Sequence, residues 1–176
     1  MISNVLRGCI AGFAVTLMAQ GAGAQESSNQ VAAITDWSVF EEASPKECWS
    51  VSAPKETVNT RGGRVVAVTR SDILLMVFYR PGSGVNGQLT FTGGYPFAGG
   101  STVNMKIGDA SYDLFTEGEW AWPATPADDA KIIAAMKRGA GAVLTARSSR
   151  GTQTQDSFSL LGFTAAVADA AKRCSG

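Results

Sequence analysis

Apolar and polar residues alternate along most of this chain, in short segments separated by glycine, proline, asparagine and aspartate. The clearest segment is 102–107, where Val103, Met105 and Ile107 would lie on one face of a strand and polar residues on the other. Segments of this kind, bounded by turn-forming residues, are typical of antiparallel sheets. The pattern therefore predicts a mainly β protein, either an antiparallel β-sandwich or a barrel-like sheet.

Strands are predicted throughout the chain from residue 37 onward. Segment 73–79 is almost entirely apolar, so we expect a central strand that is buried on both faces. Gly108-Asp109 predicts one hairpin turn, and Arg150-Gly151 predicts a second, whose polar tip should project into solvent. Tyr95 and Phe97 are expected to anchor a long loop to the sheet. The predicted strands are 37–40, 48–52, 64–68, 73–79, 88–92, 102–107, 111–115, 142–148 and 152–160.

A first helix, packed on the sheet, is predicted over about 126–138 from the residues at its ends. Thr125 suits the N-cap, because its hydroxyl can accept a hydrogen bond from the first turn. Asp128 and Asp129 suit the first turn, because negative charge is favoured at a helix N-terminus. Gly139 suits the position just beyond the last turn.

A second helix is predicted over about 163–173, and it carries one of the two cysteines downstream of residue 24. Phe163 and Ala170 lie on one apolar stripe of this helix, and Cys174 continues the stripe. Cys48 lies in a predicted strand, and two cysteines in an oxidising compartment usually pair. We therefore expect a disulfide between Cys48 and Cys174 that joins the last helix to an early strand. The alternative, a redox-active pair, lacks the C-x-x-C spacing.

The first 24 residues have the features of a cleavable secretory signal. Arg7 supplies the basic start, an apolar stretch follows, and Ala22-Gly23-Ala24 matches the small-residue cleavage pattern. Cleavage after Ala24 would make Gln25 the first mature residue. The apolar stretch is shorter than the roughly 20 residues that span a bilayer, and no transmembrane segment is predicted in the mature chain. The expected location is the periplasm, the outer surface or the extracellular space.

The mature chain is predicted to be a single β-rich domain at 34–176, preceded by a flexible leader at 25–33. The full chain has 15 basic and 15 acidic residues, and the loss of Arg7 leaves 14 against 15, a net charge of −1. Without an excess of basic residues, neither nucleic acid nor an anionic membrane surface is an expected partner.

Histidine is absent from the sequence, which excludes the Ser-His-Asp triad, the Cys-His pair and His-ligated zinc. Ser52-Ala53-Pro54-Lys55 matches the S-x-x-K nucleophile motif, but the companion motifs are missing. Pro54 would also break the helix that this motif needs. No catalytic residue, metal site or cofactor is predicted.

Paired carboxylates could still hydrolyse a glycoside without histidine. Glu117 and Glu119 flank a predicted turn, and Trp120 and Trp122 beside them could stack on sugars. Because the two tryptophans lie two positions apart on one strand face, we expect them instead to pack in the core. The two glutamates would then belong to a solvated turn.

Several short segments of the mature chain match, in order and spacing, those of a known protein family. They are Cys48 with Ser52-x-Pro54, Gly94-Tyr95-Pro96-Phe97, Leu114-Phe115-Thr116, Ala121-Trp122, Ala135-Met136-Lys137-x-Gly139, and residues 149–164 with Cys174. Through these segments the mature chain resembles the invasion-associated locus B family of exported proteobacterial proteins, also called the invasion-associated protein B family. At Ser157-Phe158 the chain departs from the Thr-Tyr that the family often has. The resemblance implies a cell-envelope factor associated with bacterial entry into host cells, and it implies no defined catalytic residues.

The sequence therefore favours a non-enzymatic binding domain of the cell envelope. Its partner would be a protein or an envelope component, bound through the polar hairpin around Arg147 and Arg150. One alternative is a periplasmic glycan hydrolase that uses Glu117, Glu119 or a neighbouring acid. The other is a structural protein that maintains envelope integrity without a discrete ligand.

Overall fold

The computed structural model describes residues 29–175, which form twelve β-strands and two α-helices. The predicted signal, its cleavage site at Ala24 and Gln25, and positions 25–28 of the predicted leader lie outside the described residues. Helix α1 spans Pro126–Met136 and helix α2 spans Phe163–Cys174. The strands are β1 (Gln30–Ile34), β2 (Trp37–Ala43), β3 (Lys46–Ser52), β4 (Glu56–Arg61), β5 (Arg64–Val65), β6 (Leu74–Arg80), β7 (Val85–Thr92), β8 (Thr102–Ile107), β9 (Ala110–Glu117), β10 (Trp120–Trp122), β11 (Gly141–Arg147) and β12 (Gln153–Ser159).

These strands form one continuous sheet in which all neighbours are antiparallel. Their order is β1-β2-β3-β6-β7-β10-β9-β8-β11-β12-β4-β5. The edge strands β1 and β5 do not pair with each other, so the sheet is not closed into a barrel. Most spatial neighbours are also sequence neighbours, as expected for a sheet built from hairpins. The predicted mainly antiparallel β fold with two helices is confirmed, and it takes the form of a single unclosed sheet.

One face of the sheet shares a hydrophobic core with both helices. The three apolar residues of β8 are buried in it, as their alternation predicts. Residues 75–77 of β6 are all buried, which confirms a central strand covered on both faces. Trp37 of β2 packs edge-on against Phe163 at the start of α2, with ring centroids 4.8 Å apart. This contact and the core it belongs to hold α2 against the first strands of the sheet.

Three of the secondary-structure predictions are wrong. Residues 30–33, assigned to the leader, belong to β1, which pairs with β2. Strand β4 lies in a segment for which no strand is predicted, because its six residues include one apolar side chain, Val58, and show no alternation. Strand β5 covers Arg64–Val65 alone, since the chain then leaves the sheet edge and crosses toward β6.

Helix α1 begins as the sequence predicts, but its two aspartates have different roles. The Thr125 hydroxyl accepts a hydrogen bond from the Asp128 backbone N–H at 3.2 Å and donates one to the Asp128 carboxylate at 2.7 Å. Asp129 is instead buried, and its Oδ1 accepts a 2.7 Å hydrogen bond from the Leu89 backbone N–H of β7. Strand β10 pairs with β7 at Phe91 and Thr92 of β7. Asp129 therefore supplies a hydrogen-bond acceptor for β7 at Leu89, beyond the end of that pairing. Burial raises the pKa of Asp129, and the Leu89 N–H opposes that rise.

We expect Asp129→Ala to destabilise the domain by about 1–3 kcal/mol, because the buried Leu89 N–H would lose its acceptor. Asp129→Asn retains an oxygen at the same position and should cost distinctly less. Urea unfolding of both variants checks the prediction. Equal losses for the two would show that the hydrogen bond to Leu89 is not what Asp129 contributes.

Cys48 of β3 and Cys174, the last residue of α2, form the predicted disulfide across a sequence separation of 126 residues. Cys48 is fully buried and Cys174 is nearly so. Helix α2 also contacts β1, β2, β3 and β6. The covalent bond therefore fixes the C-terminal end of α2 inside the core, over the first strands of the chain.

A polar cleft as the candidate binding site

A cleft of about 480 Å³ opens where several loops meet beside the end of β12. Strand β4 contributes Arg61, and the β9–β10 turn contributes Glu119. The remaining residues come from the crossing between β5 and β6, the loop after β7, and the β11–β12 hairpin. They are Val68, Thr69, Arg70, Gly94, Tyr95, Pro96, Ser148, Ser149, Arg150, Thr152 and Thr154.

Backbone hydrogen bonds join the loops around the cleft. The Phe97 N–H donates to Gly118 O at 2.8 Å, and the Ser149 N–H donates to Pro96 O at 2.9 Å. Phe97 is buried and forms an isolated bridge with Ser148, so the loop after β7 is anchored as predicted. The expectation that the polar tip of the β11–β12 hairpin projects into solvent holds for part of the tip. Arg147, Ser149 and Arg150 are exposed, whereas Ser148 and Thr152 are buried.

Arg70 forms the floor of the cleft and is ion-paired with Asp156, which is buried behind the cleft lining. The two terminal nitrogens of Arg70 bind the two carboxylate oxygens of Asp156 at 2.7 and 2.6 Å, which is the fork-to-fork geometry favoured by arginine and carboxylate. The side chains of Arg70 and Asp156 are 6% and 0% exposed. Burial raises the pKa of Asp156, and the Arg70 guanidinium opposes that rise by favouring the charged carboxylate.

The remaining contacts of Arg70 link distant parts of the sheet. Its Nε donates to Gly93 O at 2.8 Å, and one terminal nitrogen donates to Asn59 Oδ1 of β4 at 3.3 Å. Its guanidinium also lies over the ring of Tyr95, 5.0 Å from the centroid, as in a cation–π contact. Arg70 thus ties β4, β12 and the loop after β7 together at one point.

Gly94 permits this close approach of the two loops. Its φ of +70° favours glycine, and an added Cβ would lie 2.5 Å from the backbone oxygen of Ser71. The Ser71 N–H donates to Gly94 O at 3.0 Å. Tyr95 follows, and its hydroxyl bonds to that of Thr154. Burial raises the pKa of Tyr95, so the ring is a neutral phenol at physiological pH.

Three charged side chains of the cleft face solvent: Arg61, Arg150 and Glu119. Arg61 donates a 2.8 Å hydrogen bond to the Thr152 hydroxyl. Neither Arg61 nor Arg150 takes part in an ion pair with any carboxylate of residues 29–175. The floor is electrically balanced by Asp156, so the walls present two cations against one carboxylate.

One of the two predicted binding residues belongs to this site and the other does not. Arg150 lines the cleft, whereas Arg147 is exposed outside it, on the opposite strand face from buried Ser148. Arg61, Arg70 and Tyr95 were not predicted as site residues. Arg61 lies in the strand that sequence patterning missed, and the partners of Arg70 are distant in sequence.

The two tryptophans of β10 are not core residues, contrary to expectation. Ala121 between them is fully buried, and Trp120 is 45% exposed. Glu119 lines the cleft, but Glu117 does not. A glycoside hydrolase needs two carboxyl groups that face one cleft. Glu119 is the one acidic residue among those that line this cleft.

Ser52 and Lys55 of the S-x-x-K match both bind Asp36 rather than each other. The Ser52 hydroxyl donates to Asp36 O at 2.7 Å, and Lys55 Nζ lies 2.6 Å from Asp36 Oδ1. Hydrogen bonding to Lys55 is the main reason that the pKa of Asp36 is lowered. The contacts of both residues are therefore to Asp36, which lies in the turn between β1 and β2.

Two further features bear on the class of site. No helix within residues 29–175 combines the length and apolar character that a membrane crossing requires. In the same part of the chain, no three side chains of cysteine, aspartate or glutamate gather as metal ligands would.

Comparison with known proteins adds a family and a related structure. The family model described as "Invasion associated locus B (IalB) protein" matches residues 37–171. The crystal structure of invasion associated protein b from Bartonella henselae has a similar fold, with a TM-score of 0.56 and 14% sequence identity. The likeness covers 82% of this chain and 98% of that one, and at this identity it concerns the fold. A search of curated proteins gave no match.

Proposed function

Because this chain belongs to the invasion associated locus B family, we propose that it is an exported, non-enzymatic binding protein of the cell envelope. Its partner is a protein or another envelope component, and the contact is made at the cleft beside Arg150. The observation that carries the proposal is a polar cleft in which solvent-facing Arg61 and Arg150 have no ionic partner within residues 29–175.

The construction of the cleft supports binding. Arg70 and Asp156 hold its floor in a single geometry, so little conformational freedom is lost when a ligand docks. Arg150 and Arg61 remain exposed to solvent, where they can steer and orient a partner. The cleft lining contains no histidine or cysteine, and within residues 29–175 none of its serine and threonine hydroxyls is hydrogen-bonded to a carboxylate. This chemistry suits recognition better than covalent catalysis.

Features at both ends of the chain support export. The disulfide between Cys48 and Cys174 is of a kind that persists in oxidising compartments. The secretory pattern of residues 1–24 agrees with this location. The proposed site of action is therefore the periplasm or the outer surface of the cell.

Charge reversal on the β11–β12 hairpin tests the site. A photoreactive amino acid at exposed Ser149 should crosslink a discrete partner in living cells. Arg150→Glu should reduce that adduct by about tenfold, because a central arginine often dominates an interface. Arg147→Glu is the matched control, with the same charge change on the same hairpin but outside the cleft, and it should leave the adduct unchanged.

Two results would contradict the proposal. Equal loss of the adduct in both variants would mean that general charge, not the cleft, governs contact. The absence of any discrete adduct, together with detergent sensitivity of cells that lack the protein, would favour the structural envelope-integrity role.

A further inference from the structure

An aromatic patch lies on the outer face of the β9–β10 hairpin, whose turn reaches the cleft. Phe115 is 56% exposed and Trp120 is 45% exposed. Trp122 is paired in register with Phe115, so their side chains emerge on the same face. Ala121 and Leu114 point the other way and are fully buried. The chain therefore leaves three large aromatic side chains outside the core on adjacent strands.

This patch connects to the cleft through the hairpin turn. Trp120 directly follows Glu119, and Glu119 lines the cleft. The turn is held in place by the Phe97 N–H, which donates to Gly118 O at 2.8 Å. Aromatic residues and arginine are enriched in protein interfaces, and tryptophan, tyrosine and arginine are frequent among the few residues that contribute most of the binding energy. We therefore treat the cleft and the patch as one surface.

The charges of the cleft indicate what this surface binds. Arg61 and Arg150 would attract an anionic group, but Glu119 is in the same lining. A site for a free phosphate would be weakened by that carboxylate, whereas a polypeptide can carry an acidic group together with donors for Glu119. The arginines accordingly fit a carboxylate on a protein segment.

The backbone at the cleft wall also favours a protein segment as the ligand. Val68 and Thr69 are exposed, and within residues 29–175 their N–H and C=O groups form no backbone hydrogen bonds. Neighbouring residues do form such bonds: the Val66 N–H donates to Asn59 O, and the Ser71 N–H donates to Gly94 O. An extended segment laid along this wall could pair with these groups, as in strand addition to a sheet edge.

From these observations we infer that the surface binds an extended protein segment in which an acidic residue stands near an aromatic or large aliphatic residue. The acidic side chain binds between Arg61 and Arg150, the segment's backbone follows Val68 and Thr69, and its apolar side chain packs on Trp120. This inference rests on the proposed function and names the chemistry of the partner.

Selection from a random peptide library displayed on phage, against the purified mature domain, tests the inference. The selected peptides should be enriched in aspartate or glutamate near tryptophan, phenylalanine or leucine. Binding of a selected peptide, measured by fluorescence anisotropy, should weaken at least about tenfold with Arg150→Glu and with Trp120→Ala. The matched controls are Arg138→Glu and Leu161→Ala, exposed residues outside the surface, which should leave the affinity unchanged.

Unfolding curves of the four variants establish that each is folded before its affinity is interpreted. Selected peptides that lack acidic residues, or that bind both surface variants as well as the original, would overturn the inference. Failure to recover any enriched sequence would also overturn it. These outcomes are separable from failure of the proposed function, because the crosslink from Ser149 in living cells detects a partner of any chemistry.

Discussion

Replacing Asp156 with alanine is expected to destabilise the domain by about 3–5 kcal/mol. The side chain of Arg70 is 6% exposed, so its guanidinium would keep its charge without a counter-charge at a position with little access to water. Asn59 and Gly93 would still accept hydrogen bonds from Arg70, but neither carries a negative charge. Urea unfolding monitored by tryptophan fluorescence measures the loss.

The double variant Arg70→Met with Asp156→Leu separates the cost of an unpaired charge from the value of the pair. Buried ion pairs replaced by apolar residues of similar size are often close to neutral, so this variant should recover most of the stability that Asp156→Ala loses. If the double variant were as unstable as the single one, the guanidinium bonds to Asn59 and Gly93 would be the larger contribution. A loss below about 1 kcal/mol for Asp156→Ala would mean that water reaches the pair.

The pair also explains why residues that form the cleft could not be predicted from sequence. Arg70 and Asp156 are 86 positions apart, and neither lies in a motif that links one to the other. Arg70 stands in a crossing without secondary structure, where an arginine ordinarily suggests a solvated loop. Its burial results from the meeting of β4, β12 and the loop after β7, which is a property of the tertiary fold.

The strands of the core were predictable because their information is local. In β8, strict alternation alone assigns Val103, Met105 and Ile107 to the inner face, and the structure agrees. The N-terminal end of α1 was predictable for the same reason, since a cap is made by residues a few positions apart. The helix ends at Met136, two residues before the predicted end. The hydrogen bond that Asp129 accepts from Leu89 could not be predicted in this way, because the two residues are 40 positions apart.

The tryptophans of β10 show how a local rule can give the wrong face. In a Trp-Ala-Trp strand, hydrophobicity alone favours burial of the two tryptophans. The structure buries Ala121 instead, where it pairs with Phe91 of β7, a large ring that already fills the core at that point. The register with a neighbouring strand determines which face is inward, and no short window of sequence contains that register.

An unclosed sheet also needs other means to hold its ends in place, because it lacks the hydrogen-bonded closure of a barrel. Two of the links between parts distant in sequence serve this purpose. Arg70 joins the β4–β12 region to the end of β7, and the disulfide joins α2 to β3. The first link is electrostatic and local to the cleft, whereas the second is covalent and lies in the core.

Removing the covalent link is expected to cost about 2–5 kcal/mol of unfolding free energy, and the chain-entropy model places a loop of this length at the upper end of that range. Cys48 and Cys174 are 126 positions apart, so the bond constrains most of the unfolded chain. The variant Cys48→Ala with Cys174→Ala tests this without leaving free thiols. Urea unfolding should show a lower midpoint than for the oxidised protein.

Reduction of the unaltered protein supplies the control for packing, because the thiols then keep the volume of the sulfur atoms. Since Cys48 is fully buried and Cys174 is 6% exposed, the alanine variant should lose slightly more stability than the reduced protein. A large loss in the alanine variant with almost none on reduction would assign the effect to the cavity rather than to the crosslink. Reaction of the purified, unreduced protein with a thiol reagent would contradict the crosslink directly, since a disulfide between these two residues leaves no thiol downstream of the cleavage site.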